Sequence, residues 1–190
     1  STGVRVDARL PGGATAPVIG PTNLTLADGS RYTVVAVGKA ATIEPLVLSD
    51  TKASPAAGQP RVRVLHAAPS APAVDVYLTS MTADLATATK VGTIAFKQNV
   101  GPAVIGSGEY RIRVTPAGDR NTVVFDSGAV TLSSGDSAVF TAIENTGVGA
   151  SPIQLLVTRT QQATATRVLS VGTPTAVRVV HASPDAPAVD

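Results

Sequence analysis

Cysteine and tryptophan are both missing from the 190-residue chain, and aromatic residues make up only 3% of it. Without cysteine the protein can form neither disulfides nor zinc–thiolate sites. With so few aromatic rings it has little surface on which sugars or bases could stack, so binding by stacking is disfavoured. The interior must be packed from Val, Ile, Leu and Ala, which is feasible because 44% of the residues are hydrophobic.

A strong charge of one sign and a long apolar run are also missing. The formal net charge is only +2 and the basic residues are scattered along the chain, so the sequence has no electrostatic footprint for nucleic acid or an anionic membrane. No stretch reaches the roughly 18 uninterrupted apolar residues of a membrane-spanning helix, and no signal peptide opens the sequence. We therefore expect no membrane span, and a mature or excised piece of a protein.

Catalytic signatures are sparse. The sequence has no cysteine nucleophile, no G-x-S-x-G motif and only two histidines, which occupy matching positions of the repeat described below. Most carboxylates lie in predicted turns, where a solvated charge is expected. Calcium held by Asp119, Asp126 or Asp136 is an alternative, although no D-x-[DN]-x-[DN]-G loop is present. We expect a protein that is not an enzyme and has no cofactor.

What the sequence does contain is a repeat. Residues 61–75 are RVRVLHAAPSAPAVD and residues 176–190 are AVRVVHASPDAPAVD, with 11 identities in 15 positions at an offset of 115 residues. Such an offset is typical of a repeated domain rather than of a solenoid. A weaker correspondence aligns residues 24–38 with residues 130–144, so that Leu26 matches Leu132 and Gly29 matches Gly135.

The two correspondences predict three segments. Residues 1–59 form the rear part of a first unit, residues 60–175 a complete second unit, and residues 176–190 the opening strand and corner of a third unit, or a donor strand. Two explanations for the last segment stay open. Either the chain is an excerpt of a longer tandem protein, or this segment of one subunit pairs with the first unit of the next.

Short runs rich in Val, Ile, Thr and Phe, such as RVRVLH, YRIRVTP and SAVFTAIE, are separated by Gly, Pro, Asp and Ser. These patterns predict strands and turns. In residues 111–114 the arginines alternate with Ile112 and Val114, which predicts a strand with one wet side. Only residues 81–91 favour a helical turn. We expect an all-β fold of tandem antiparallel β-sandwich units, immunoglobulin-like in size, with a period of about 115 residues.

The motif RVxHAxPxAPAVDVY, the later strand YRIRVTPAG and the segment ADGSRYTVVAVG together resemble the bacterial and archaeal family known as domain of unknown function 4397. The resemblance implies a secreted or surface-attached tandem module and gives no catalytic residue to carry over. Tyr32 lies in the later segment, but Ala138 takes its place in the second unit, so this Tyr is not essential to every unit. The cysteine-free, Lys-poor composition is common in bacterial exported proteins, so we expect a secreted or cell-surface protein of a bacterium.

The opening motif carries the candidate site residues, which in its two copies are His66, Pro69, Pro72 and Asp75, and His181, Pro184, Pro187 and Asp190. Proline fixes φ and donates no ladder hydrogen bond, so the motif should cross from one strand to another as a stiff corner. We expect the Asp75 carboxylate to accept backbone N–H bonds from this corner, and His66 to reach the same cluster. The alternative is a metal or acid–base pair, but one His and one Asp are too few ligands for zinc.

Two function classes remain. The first is a structural spacer, or the building block of an extracellular fibre, whose partners are neighbouring copies of the same unit, in tandem or head-to-tail. The second is an adhesion module that binds a surface glycan or a protein on its loops. We favour the first, since the sequence offers neither an aromatic cluster nor a set of carboxylates that would form a binding pocket.

Overall fold

The computed structural model describes residues 2–9, 17, 19–160 and 162–174. Its regular structure in this part of the chain is all-β, with thirteen strands, one 3₁₀ turn at Ala40–Thr42 and no α-helix. None of the described residues forms a helix long and apolar enough to cross a membrane. His181, Pro184, Pro187 and Asp190 lie outside the described residues.

The strands are β1 (Thr2–Ala8), β2 (Ile19–Leu26), β3 (Ser30–Val37), β4 (Glu44–Thr51), β5 (Arg61–His66), β6 (Val74–Thr79), β7 (Lys90–Ile94), β8 (Asn99–Val104), β9 (Gly108–Pro116), β10 (Phe125–Leu132), β11 (Ser137–Glu144), β12 (Ile153–Arg159) and β13 (Thr166–Val168). The region expected to favour a helical turn instead forms turns that lead into β7.

The described strands form four sheets. A four-stranded sheet has the order β10-β9-β6-β7 and a five-stranded sheet has the order β13-β12-β11-β5-β8, while β1-β2 and β3-β4 are two-stranded hairpins. All pairings are antiparallel except that of β5 with β11. This parallel pairing places β5, the first strand after residue 60, inside the five-stranded sheet, between β11 and the edge strand β8.

The main core is built by both larger sheets. Val62 and Val64 of the five-stranded sheet and Ile112 of the four-stranded sheet belong to one cluster of buried residues, together with the fully buried Phe125 and Phe140. These side chains lie on one face of each strand because successive side chains of a strand alternate between its faces. The aliphatic filling expected from the composition is present, with two phenylalanines added.

The arginine face of β9 differs from its prediction. Ile112 and Val114 enter the core as the alternation predicts, but the opposite face is wet only at its start, where Glu109 is exposed, and Arg113 is only 7% exposed. Residues 80–89 cover it, and Nη2 of Arg113 donates to the Ala83 carbonyl at 2.8 Å and to the Thr79 hydroxyl at 2.9 Å. The alternation of a strand predicts which residues share a face, but it does not predict that a loop, here residues 80–89, covers that face.

The hairpin of β3 and β4 lies on the outer face of the five-stranded sheet. Val37 and Leu48 of the hairpin form a second buried cluster with Leu65 and Ala67, and Val139 packs against it. Every residue of β5 is buried as a result, on both faces of the strand. We call this contact between the β3–β4 hairpin and the outer face of β5 and β11 the joint.

The strands before residue 60 and those after residue 107 have matching registers. Adding 106 to the paired residues Thr2 and Leu26 gives Gly108 and Leu132, which are paired in β9 and β10. The same shift converts the pair Ala8–Ile19 into Val114–Phe125 at the far side of an irregularity that both ladders contain. The alignment of Leu26 with Leu132, made from the letters alone, thus has a counterpart in strand pairing.

Candidate functional site

The proline-containing segment, residues 67–73, connects β5 in the five-stranded sheet with β6 in the four-stranded sheet. His66 is 1% exposed and ends β5. Its Nε2 lies 3.0 Å from the carbonyl oxygen of Pro72, and its Nδ1 lies 3.4 Å from the backbone N of Ala68. Pro69 is half-buried and Pro72 is exposed. The imidazole therefore bridges the two ends of the corner from within.

A carboxylate does accept a backbone N–H of this corner, but it belongs to Glu144. The Ser70 N–H donates to Oε1 of Glu144 at 2.8 Å, and hydrogen bonding by Ser70 lowers the pKa of Glu144 below its ordinary value. Glu144 ends β11, and the parallel pairing of β11 with β5 brings it beside the corner. No signal in the sequence indicated Glu144, because a parallel pairing between residues 76 positions apart in the sequence leaves no local pattern.

The prediction for Asp75 is therefore corrected. Asp75 is 3% exposed, and its partners are the Thr93 hydroxyl at 2.6 Å, the Lys90 ammonium at 3.0 Å and the Gly118 N–H at 3.0 Å. None of these groups belongs to the corner. The reason is the strand alternation, which places Val74 and Val76 in the core and turns Asp75 to the opposite face of the four-stranded sheet.

The electrostatics of Asp75 follow from these contacts. Burial by itself raises the pKa of this carboxyl group, but the hydrogen bonds from Thr93, Gly118 and Lys90, with the charge of Lys90, outweigh it and leave the pKa below its ordinary value. The ionised Asp75 carboxylate thus connects β6 with β7 and with the turn after β9. Its hydrogen bonds and those of His66 go to different groups.

Two arginines that the sequence analysis passed over build the joint. Arg63 is 9% exposed, and it donates to the Ser49 carbonyl at 2.8 Å and to the Asn99 side chain at 2.6 Å. Arg61 is 8% exposed and lies 3.7 Å from the Asp50 carboxylate. The sequence did contain a signal for these arginines. The alternation in RVRVLH places Arg61 and Arg63 on the face of β5 opposite to the core valines, which is the face that meets the hairpin.

A cleft of about 210 Å³ opens at the edge of the joint. Its charged lining consists of Arg31, Arg63, Arg159 and Asp50, and hydroxyl groups of Thr and Ser complete it. Nη1 of Arg31 is buried and has no hydrogen-bond partner among the described residues. The hydrogen bonds of Arg63 go to neutral oxygens, and Nη2 of Arg31 donates to the neutral Lys52 carbonyl. The cleft therefore contains two guanidinium groups that are hydrogen-bonded to neutral oxygens.

The family comparison agrees with the motif. The family model described as Domain of unknown function (DUF4397) matches residues 3–77 and 80–190, which is nearly the whole chain. The chain belongs to this family. No curated protein matches it.

In this DUF4397 chain the equivalent turns before β3 and β11 are capped by different side chains. The Tyr32 hydroxyl accepts the Ala27 N–H at 2.9 Å, and the Asp136 carboxylate accepts the Ser133 N–H at 3.1 Å. Ala27 and Ser133 are related by the same shift of 106 residues. The Asp136 carboxylate thus replaces the Tyr32 hydroxyl at the turn before β11, since either oxygen satisfies the equivalent backbone N–H. This explains why that turn needs no tyrosine.

Two of the three aspartates considered as calcium ligands are engaged with arginines, and the third, Asp119, accepts the Asn121 N–H at 2.9 Å. Asp126 pairs with Arg111, and Asp136 pairs with Arg159. Burial raises the pKa of Asp126, but the hydrogen bonds and charge of Arg111 outweigh it and the pKa is lowered. Within the described part of the DUF4397 chain, no group of three or more His, Cys, Asp or Glu side chains is placed to hold a metal ion.

Proposed function

We propose that this DUF4397 chain is a non-enzymatic structural module of a secreted or cell-surface bacterial protein, serving as a spacer or as a building block of an extracellular fibre. The observation that carries the proposal is the joint. A spacer must transmit orientation from one unit to the next, and a buried apolar contact reinforced by arginines limits rotation between them more than a linker does.

The repeat is part of the same proposal. We interpret the four-stranded and five-stranded sheets as the two layers of one β-sandwich unit covering residues 60–175, with residues 1–59 as the rear part of an earlier unit and residues 176–190 as the start of a later one. The matching registers of β1–β2 and β9–β10 support this division, as does the shared core of the two sheets.

The site residues support a structural role. Both ring nitrogens of His66 form contacts with the backbone of the corner. Both carboxylate oxygens of Asp75 accept hydrogen bonds from β7 and from the turn after β9. A catalytic pair would need the two groups to share a reacting atom or a common hydrogen bond, and their partners differ.

The joint can be tested by measuring a distance between spin labels, because the chain has no native cysteine. We place labels at Ala41→Cys in the exposed turn of the hairpin and at Thr89→Cys, also exposed, after β6. A rigid joint gives one narrow distance distribution. Leu48→Ala should broaden it because Leu48 is buried in the joint, whereas Val47→Ala on the opposite face should not. A broad distribution in the unsubstituted background would reject the spacer proposal.

A second candidate function, adhesion to an acidic glycan, is favoured by the cleft. Carboxylates of uronic acids suit guanidinium donors, which recognise planar anions through two parallel hydrogen bonds. Calorimetry with oligogalacturonate and with a neutral galactose oligomer tests it. Arg31→Gln should abolish binding of the acidic oligomer, while Arg167→Gln, exposed on β13, should leave it intact. Equal binding of both oligomers, or of neither, rejects this candidate.

A further inference from the structure

Positive charge exceeds negative charge where the β3–β4 hairpin meets β5. Arg31 is the cross-strand partner of Asp50, Nη1 of Arg61 lies 3.7 Å from the Asp50 carboxylate, and Arg63 lines the same cleft. The Asp50 carboxylate also accepts the Thr51 N–H at 2.7 Å. In the described part of the chain, the hydrogen bonds of Arg31 and Arg63 reach no carboxylate. Guanidinium groups that are partly withdrawn from water and lack a counter-charge repel one another, so this part of the joint favours an added anion.

The guanidinium of Arg31 is weakly held. Among the described residues it has one hydrogen bond, from Nη2 to the Lys52 carbonyl at 3.4 Å, which is long for an N–H···O bond. Its Nη1 is buried without a partner, and a buried donor that lacks an acceptor raises the free energy of the folded chain. Arg63, by contrast, is fixed by two bonds of 2.6 and 2.8 Å. An acceptor in the cleft would therefore benefit Arg31 most, beside the fixed positive charge of Arg63.

The size and lining of the cleft narrow the class of anion. Its volume of about 210 Å³ is below the range of pockets for drug-sized ligands, about 300–1,000 Å³, so it suits a single acidic group on a small molecule or on one residue of a polymer. Guanidinium groups recognise planar carboxylates through paired hydrogen bonds, and hydroxyl groups exchange hydrogen bonds with the hydroxyls of a ligand. The hydroxyl groups of the lining belong to Thr33, Ser137, Thr158 and Thr160. The cleft therefore fits a hydroxylated carboxylate, such as a sugar acid, better than an aliphatic acid.

We propose that the carboxylate of a sugar acid binds between Arg31 and Arg63 and locks the joint. Arg31 belongs to the β3–β4 hairpin and Arg63 to β5, so an anion held by both connects the two sides of the joint. A ligand that needs both sides binds only while the hairpin is docked on β5, and it shifts the population toward that arrangement. The inference rests on the proposed spacer function, which it deepens by making the rigidity of the joint depend on a ligand of the cleft.

The spin labels at Ala41→Cys and Thr89→Cys test the lock in a chain whose joint has been loosened. Val37→Ala loosens it without altering the cleft, because Val37 is 2% exposed in the joint but does not line the cleft. We expect a broad distance distribution without ligand. Galacturonate at about 100-fold its Kd should make the distribution narrow, since binding at that concentration raises the docked population relative to the undocked one by about 100-fold. Galactose, which lacks the carboxylate, and butyrate, which lacks the hydroxyls, should leave it broad.

Matched variants assign the effect to the cleft. With Arg31→Gln added to the Val37→Ala chain, galacturonate should no longer narrow the distribution, whereas with Arg167→Gln, exposed on β13, it still should. Leu46→Ala is a milder second way to loosen the joint if Val37→Ala does not fold, because Leu46 is only partly buried against the same cluster and also lies outside the lining of the cleft.

Three results would overturn the inference. The first is galacturonate that does not bind, or that binds in calorimetry while the distribution stays broad, because the anion then does not bridge the joint. The second is equal narrowing by galactose, by butyrate or by sodium chloride at the same ionic strength. The third is narrowing that survives Arg31→Gln. If the monomer narrows the distribution but oligogalacturonate does not bind, the inference stands with a free sugar acid as the ligand, and the adhesion candidate fails. The spacer proposal is judged separately, by the distribution of the unsubstituted background without ligand.

Discussion

At the level of single residues, His66 shows how a buried side chain fixes a corner that has few backbone bonds of its own. A carbonyl oxygen only accepts hydrogen bonds, so the contact with Pro72 assigns the proton to Nε2. Nδ1 is then free to accept the longer contact from the Ala68 N–H. The neutral ring with its proton on Nε2 satisfies both contacts, and no other tautomer does.

The first prediction concerns His66 and Asp75. His66→Ala and Asp75→Ala should each lower the free energy of unfolding by about 1–3 kcal/mol, because each leaves buried polar groups without a partner. Since the two residues share no partner, the double variant should show the sum of the single effects within about 0.5 kcal/mol. Urea unfolding followed by circular dichroism measures all three values.

Glu109→Ala serves as the control for this series, because Glu109 is an exposed carboxylate on β9 and its removal should change stability by less than about 0.5 kcal/mol. A strong coupling between His66 and Asp75 would contradict the separate hydrogen-bond sets. Loss of stability on addition of a chelator to the unsubstituted protein, equal to that of either substitution, would favour a metal site instead.

The residues of the corner were predictable to different degrees. Proline chemistry is local, so Pro69 and Pro72 indicated a crossing between strands from the letters alone. The identity of the capping carboxylate was not local. Asp75 stands closer to the corner in sequence, but strand alternation turns it away, and Glu144 arrives through a pairing that the sequence does not reveal.

At the level of elements, the four-stranded sheet has a polar outer face, most of which is nevertheless buried. Tyr77 is 2% exposed, and the guanidinium carbon of Arg120 lies 5.4 Å from the centre of its ring. Leu85, in the segment that covers this face, is 8% exposed. The sheet is therefore packed on both sides, which supports the view that residues 60–174 contain enough buried surface to fold by themselves.

The second prediction follows. A fragment of residues 60–175 should fold with a β-type circular dichroism spectrum and no substantial helix. It should unfold at a lower temperature than the full chain and bind a hydrophobic dye more strongly, because loss of the hairpin uncovers Leu65 and Val139. A spectrum dominated by helix, or a fragment that does not unfold cooperatively, would contradict it.

Strand periodicity predicted which residues of β9 enter the core, and glycine predicted the turns at Gly29 and Gly135, both of which have positive φ. The hairpins expected at these two turns are wrong, since each turn joins strands of different sheets. The contacts between elements were not predictable in this way. The burial of Arg63 depends on a hairpin that precedes it by many residues, and that of Arg113 depends on a loop. Local patterns define faces, whereas tertiary packing decides which of them meets water.

At the level of the whole molecule, carboxylates hold separate parts of the fold together in their ionised form. Asp75 connects three segments of the four-stranded sheet, Asp126 pairs with Arg111 across β9 and β10, and Glu144 caps the corner between the two larger sheets. The pKa of each is lowered in the folded chain. For each, the folded state therefore binds a proton less readily than the unfolded state does.

The third prediction is a loss of stability in acid, with the sign set by this difference. A carboxyl group with a lowered pKa contributes stability that is fully present above its ordinary range and is lost as the pH falls through the folded value. Ordinary carboxyl groups titrate near pH 4, so the urea midpoint of the chain should be level at higher pH and should fall below about pH 4. The Asp75→Ala variant should start from a lower midpoint and fall less steeply, because one of the responsible groups is gone. Parallel acid profiles for the variant and the unsubstituted chain would contradict this prediction. They would show that Asp75 does not connect β6, β7 and the turn after β9 through an ionised carboxylate.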